Sequence, residues 1–272
     1  MNHVIMGMLA ETSLHPGAGQ TSGVVDLPVA REVTTDYPVI VGSSLKGALR
    51  EKVEQENTEE VAKRIFGQPD RAGDVAVTDA RLLLLPVRSL TMHFRWVTCP
   101  YILERFQRDL ALAGEQKVWQ PLEVKTGEAL VAQEMKDILF LEELSYQPRM
   151  MEEERVEEMV SLLSPLIPHE SLQARLPKQL VILSDDELVH FARFGLNFQA
   201  RNVLDDETKE STNLWYEETL PPDTLFYTLL LSRTGNTDGL EELREMIEAS
   251  PYVQVGGNET VGQGWCRISI VD

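Results

Sequence analysis

Apolar and polar positions change period several times along the chain, and the changes mark its elements. Residues 2–12 alternate loosely and predict a first strand, whereas 15–23, HPGAGQTSG, are too polar and glycine-rich for strand or helix and predict a turn-rich loop. The run Pro38-Val39-Ile40-Val41 leads into Gly42-Ser43-Ser44. Beyond it Leu45, Ala48, Leu49 and Val53 recur at helical spacing, so a helix is expected over 44–56 with Ser43 or Ser44 as its N-cap. Residues 74–86, DVAVTDARLLLLP, read as a strand and 87–98 as its hairpin partner, and Pro100 opens a helix to about Leu112. Residues 114–180 mix patterns and scatter prolines around an acidic helix near 151–164, which reads as an inserted subdomain. Residues 196–220 have apolar ends around a charged, turn-prone centre, the pattern of a long projecting hairpin. A strand over 224–231 follows, then a helix over 238–249 with Leu240, Leu243 and Ile247 on one face. Short strands at 252–255 and 267–271 around a glycine-rich turn complete the chain.

Strand, helix, two strands, helix and final strand imply an α+β fold around an antiparallel sheet, with a ferredoxin-like βαββαβ arrangement as its simplest form. The core then comprises 1–113 and 181–272, interrupted by the insert at 114–180, and the hairpin at about 197–220 protrudes from it.

Composition narrows the function classes. With 272 residues, 43% hydrophobic and 25% charged, the chain can bury an ordinary globular core. Cys99 and Cys266 lie far apart with no partner at metal-ligand spacing, which suggests neither a disulfide framework nor a zinc site and points to a reducing compartment. The start, MNHVIMGMLAETS, lacks the basic and apolar regions of a signal peptide, and no run approaches the roughly 20 apolar residues that cross a bilayer. A soluble, intracellular protein without a membrane partner is expected. The balance of 25 Lys and Arg against 44 Asp and Glu opposes nucleic-acid binding over the whole surface, because phosphate neutralisation dominates that affinity. Residues 81–108 depart from the average: Arg81, Arg88, Arg95, Arg105 and Arg108 stand against the single acid Glu104, with Phe94, Trp96 and Tyr101 interleaved. A local basic groove on an acidic body is compatible with that stretch.

Three segments carry chemistry. Gly42-Ser43-Ser44-Leu45-Lys46-Gly47-Ala48-Leu49-Arg50 puts small residues and free N–H groups at a helix start, with Lys46 in the first turn and Arg50 one turn later, an arrangement that suits a phosphate and also an ordinary capped helix with surface cations. Gly256, Gly257, Gly262 and Gly264 fall within one short segment, more than a hairpin turn requires, and would let backbone approach a phosphate chain. Neither segment matches a Walker or dinucleotide-binding loop. Asp26 sits in an apolar VVDLP setting, where a carboxylate needs a partner or a function, although a turn or cap before Pro28 is the alternative. His15 precedes it in the same loop as a candidate acid or base, or as a plain loop histidine.

Taken together, HPGAGQTSGVVDLPVARE, PVIVGSSLKGALRE and VGGNETVGQGWCRI resemble the CRISPR RAMP superfamily, and within it the Cmr-complex backbone subunit that polymerises along crRNA. The resemblance implies an RRM-like palm, an inserted lid at 114–180, a thumb hairpin at 197–220, and head-to-tail copies holding one guide. It assigns target-RNA cutting to Asp26, with His15 as its loop neighbour and Glu217 or Glu218 as a second acid near the scissile phosphate of an adjacent copy. Lys46 and Arg50, with Gly42, Ser43 and Ser44, become guide contacts, as do Gly256, Gly257, Gly262 and Gly264. The implied activity is a metal-dependent endoribonuclease of a cytoplasmic type III-B effector that cleaves complementary target RNA at regular intervals. Its ion would be Mg or Mn with Asp26 as candidate ligand, and its partners crRNA, target RNA, copies of itself and other Cmr-complex subunits. A non-catalytic crRNA-binding RAMP, a guide-processing RAMP endoribonuclease and an acidic α+β interaction protein are the alternatives.

Overall fold

The alternating segment at the N-terminus forms β1 (His3–Ala10), buried at every position but the first. Side chains that are apolar on both faces suit a strand with cover on both sides, and β1 lies inside the sheet. The computed structural model describes residues 3–20, 25–115, 119–133, 135, 137–233 and 235–271. After β1 the chain forms β2 (Val39–Ile40), α1 (Gly42–Glu56), α2 (Glu59–Phe66), β3 (Gly67–Gln68), β4 (Arg71–Ala72) and β5 (Val75–Val77). The hairpin β6 (Ala80–Arg88) and β7 (Phe94–Thr98) and helix α3 (Pro100–Leu112) follow. Next come β8 (Glu128–Val131), β9 (Leu139–Leu141), β10 (Leu144–Met150), α4 (Glu153–Leu163), the single turns α5 (Glu170–Gln173) and α6 (Leu176–Gln179), β11 (Leu180–Ile182) and α7 (Asp185–Phe194). The last part holds β12 (Asn197–Leu204), β13 (Ser211–Thr219), β14 (Leu225–Ser232), α8 (Asp238–Ala249), β15 (Tyr252–Gln254) and β16 (Trp265–Val271).

Strands β16, β1, β14 and β6 are consecutive neighbours, each pair antiparallel. With α1 between β1 and β6 and α8 between β14 and β16, this is the expected ferredoxin-like βαββαβ order. Helices α1, α2 and α8 pack together, burying Leu45, Leu49 and Val53 of α1 with Leu240, Leu243 and Ile247 of α8. Gly7 stands opposite Tyr227 and Ser269 on its two neighbouring strands, so all three point to one face. On that face Phe106 of α3 meets the Tyr227 ring at 4.6 Å and the main chain of Leu166 lies on Gly7, where a Cβ would come within 2.7 Å of its carbonyl oxygen.

Segment 114–180, expected as a helical or lid insert, carries strands as well as helices, and they continue the sheet. β11 runs parallel to β7 and antiparallel to β8, β10 is parallel to β8, and β9 closes on β10. The hairpin β12–β13 forms a separate two-stranded sheet in the expected place, pairing Asn197 with Thr219 and Arg201 with Trp215. It presents Phe198, Leu214 and Tyr216 to solvent.

The predicted N-cap is displaced. Val41 occupies the cap position without a side-chain bond, and Ser43 and Ser44 already belong to the first turn. Asp79, 37 positions away, accepts the Gly42 N–H at 2.7 Å instead, so a tertiary contact does the work of a local cap. No helix among the described residues is long and apolar enough to cross a membrane.

Candidate active site

The root of β13 has two edges. One pairs with β12, and the other takes up the chain that follows β1. Leu14 and Leu220 exchange main-chain hydrogen bonds at 3.0 and 2.8 Å, Leu27 N–H donates to the Tyr216 carbonyl at 3.1 Å, and Glu218 N–H donates to the Leu27 carbonyl at 3.0 Å. The two arms of this segment also bond each other, Ala18 N–H to Pro28 O at 3.1 Å and Ala30 N–H to Pro16 O at 2.6 Å. His15 and Asp26 are thereby fastened beside the root of β13.

Asp26 is half-buried, and its Oδ2 accepts the Tyr216 N–H at 2.8 Å. That bond orients the carboxylate and leaves Oδ1 without a partner among the described residues. His15 is 7% exposed, and its Nδ1 lies 2.7 Å from the Glu218 carbonyl oxygen. A carbonyl can only accept, so Nδ1 carries the hydrogen. Its Nε2 lies against Gly17, 2.9 Å from where a Cβ would stand on that residue.

The two acids of WYEE are buried, Glu217 at 2% and Glu218 at 3% exposure. Asn258 donates its amide to Glu217 Oε1, Arg201 Nε donates to Oε2 at 3.3 Å, and His15 Nδ1 is 3.7 Å from Oε1. Glu218 accepts from Val29 N–H at 3.0 Å on Oε2 and from Arg31 Nη2 at 2.7 Å on Oε1. Every oxygen of this pair is occupied, which is what burying two carboxylates requires. Both hold the junction together from inside it, whereas the resemblance implies one of the two as a second acid near the scissile phosphate of an adjacent copy.

The C-terminal glycines sit against the same junction. Gly257 N–H donates to the His15 carbonyl at 2.9 Å, and a Cβ on Gly256, at φ +89°, would fall 2.4 Å from that oxygen. Gly264, at φ +86°, has Val255 O within 2.3 Å of its missing Cβ. Gly256 and Gly264 therefore have a packing reason to be glycine, whereas Gly262 at φ +79° faces open space. Lys46 and Arg50 of α1 lie apart from this loop. They are one turn apart on one helix face, while Ala48, Glu51, Lys52 and Gln55 line a groove toward Gln254 and Trp265 that also holds Glu56 and Glu259.

The family model described as the RAMP superfamily matches residues 8–267. The chain belongs to the RAMP superfamily. Among RAMP relatives it is 34% identical to the CRISPR system Cmr endoribonuclease Cmr4 of Pyrococcus furiosus, over 99% of this chain and 96% of that protein. The crystal structure of oligomeric Cmr4 from Pyrococcus furiosus superposes with a TM-score of 0.81 at 30% identity, covering 99% of this chain and 98% of the other. A chain of the type III-B Cmr-beta complex bound to cognate target RNA shares the fold at a TM-score of 0.79 and 22% identity, over 98% and 96%.

In this RAMP chain the described residues do not build a cation site unaided. Among the described residues no three of His, Cys, Asp and Glu cluster closely enough to hold a metal ion, and at the β13 root only Asp26 Oδ1 is uncommitted among the acids named above. The arginine-rich stretch is not a groove either. Arg81 pairs with Asp109, Arg88 with Glu142, Arg105 with Glu32 and Arg108 with Glu104, and Arg95 is buried with its guanidinium on the Lys178 carbonyl. Sequence reading missed Asn258, Arg201 and Arg31 as the groups that hold Glu217 and Glu218. Asn258 stood inside the glycine-rich segment, and its left-handed φ of +66° is uncommon for a non-glycine residue.

Proposed function

We propose that this RAMP is a backbone subunit of a type III-B CRISPR effector that binds crRNA and cleaves complementary target RNA at regular intervals, with Asp26 as the catalytic base. The carrying observation is the asymmetry at the β13 root, where Glu217 and Glu218 are spent on internal bonds while Asp26, beside a projecting hairpin, has one carboxylate oxygen with no partner among the described residues. Identity of 34% to an endoribonuclease across nearly the whole chain supports the activity, and the oligomeric relative supports association with copies of itself.

In this mechanism the exposed Phe198, Leu214 and Tyr216 of the hairpin displace a target nucleotide from the guide duplex, which lets the RNA backbone reach an in-line geometry. Asp26 Oδ1 takes the proton of that nucleotide's 2′-hydroxyl. The 2′-oxygen bonds to its own 3′-phosphorus, the bond to the 5′-oxygen breaks, and that oxygen is protonated from water, giving a 2′,3′-cyclic phosphate and a 5′-hydroxyl. His15, held by the Glu218 carbonyl, and Glu217, held by Asn258 and Arg201, are positioning residues that fix the loop carrying Asp26. Sequence is read by base pairing with the guide, and the protein contacts backbone and shape. The free, buried Cys99 and Cys266 agree with a cytoplasmic setting.

Guide-loaded complexes incubated with end-labelled complementary RNA test the proposal. Evenly spaced products carrying cyclic phosphate are expected. Assembly without cutting would make the chain a structural crRNA binder, and cutting of precursor hairpins by the chain alone would make it a guide-processing enzyme. An EDTA arm reads the need for Mg or Mn, which would be recruited by Asp26 together with oxygens of the RNA.

A further inference from the structure

In a chain with 44 acidic and 25 basic residues, one groove is walled by Lys46, Arg50, Arg71 and Arg233 and has no carboxylate in its lining. It encloses about 530 Å³ between α1, the β3–β4 hairpin and the end of β14. The opposite flank of α1 lines a groove with Glu51, Glu56 and Glu259 and a single cation, Lys52, itself paired with Glu56. A polyanion is therefore attracted to one side of α1 and repelled from the other.

The cationic side is braced. Arg50 Nη1 donates to the Gly67 carbonyl at 2.9 Å and Arg233 Nη1 to the Gly73 carbonyl at 2.8 Å, so the two guanidiniums grip both ends of the hairpin. Gly67 and Gly73 touch so closely that a Cβ on either would lie 2.5 or 2.4 Å from main-chain atoms of the facing turn. Each arginine keeps further N–H donors after its internal bond, although Arg50 also pairs with Glu54 one turn on. Lys46 and the exposed Arg71 make no ion pair among the described residues. Rigid placement lowers the ordering cost of binding. Four cations from three separate segments outmatch a single phosphate, and Phe66 and Val75 supply an apolar floor against which a sugar can lie.

We infer that Arg71 and Arg233 extend the guide track beyond α1 and bind consecutive backbone phosphates of the crRNA in this groove. The inference rests on the guide-binding reading of Lys46 and Arg50 and adds two residues and a direction to it.

Binding of a labelled guide RNA is measured over a salt series for the full chain and for Lys46→Ala, Arg71→Ala, Arg71→Lys and Arg233→Ala. Arg71→Ala and Arg233→Ala are each expected to weaken binding about tenfold and to lower the salt slope by about 1, equally for different guide sequences, with Arg71→Lys recovering most of the slope. Loss with Lys46→Ala but not with Arg71→Ala or Arg233→Ala would overturn the extension and spare the guide-binding reading. Loss with none of them would overturn both. Unchanged guide affinity with altered self-association of Arg71→Ala would give the groove to an acidic segment of another copy, and the inference would fall. Arg233→Ala also removes the bond to Gly73, so if that variant unfolds, Arg71, which anchors nothing, decides.

Discussion

His15 and Glu218 stand 203 positions apart and meet with Nδ1 of the imidazole 2.7 Å from the main-chain carbonyl oxygen. The geometry fixes the tautomer: neutral His15 carries its hydrogen on Nδ1. Multiple-bond ¹⁵N–¹H NMR is expected to show that pattern, and an Nε2–H signature would remove His15 from the junction. Replacing His15 with Ala strands a buried carbonyl and is expected to cost about 1–3 kcal/mol in denaturant unfolding.

Arg31 and Glu218 form the charged clasp on the other arm of the loop, at 2.7 Å with side chains 19% and 4% exposed. A double-mutant cycle with Arg31→Met and Glu218→Gln is expected to give a coupling of about 1–3 kcal/mol. Additive losses would show that the two side chains do not act as a pair.

Burial, with a smaller contribution from Glu11, raises the Asp223 carboxyl above its ordinary value. The folded protein thus holds that proton more tightly than the unfolded chain. Asp223 contributes nothing below the unfolded value, and stability falls as pH rises from there through the folded value. Asp223→Asn is expected to be more stable than the parent at pH 7, with the difference vanishing near pH 3, because Asn accepts the left-handed φ of +66° found there. Equal unfolding curves at both pH values would contradict the burial penalty.

Much of the frame could be read from local pattern. Helix α8, with Leu240, Leu243 and Ile247 in register, starts and ends where its periodicity does, and the polar centre of 196–220 marked a hairpin because turn chemistry is local. What escaped was decided at long range. Asp79 caps α1 in place of Ser43 or Ser44, and the arginines of 81–108 are absorbed by Glu32, Asp109 and Glu142 from other elements. Asp26 was legible as an acid in an apolar frame. That Glu217 and Glu218, adjacent in sequence, point to opposite faces of β13 and are both buried required the hairpin root and the loop after β1 to be seen together.

The most direct test is the single-turnover rate at which guide-loaded complexes carrying Asp26→Asn cut complementary RNA. Asn keeps an oxygen to accept the Tyr216 N–H, so assembly and target binding should be normal while cutting falls by about 10²-fold or more. Cutting at the parental rate, in complexes of normal composition, would contradict the assignment of Asp26 as the base.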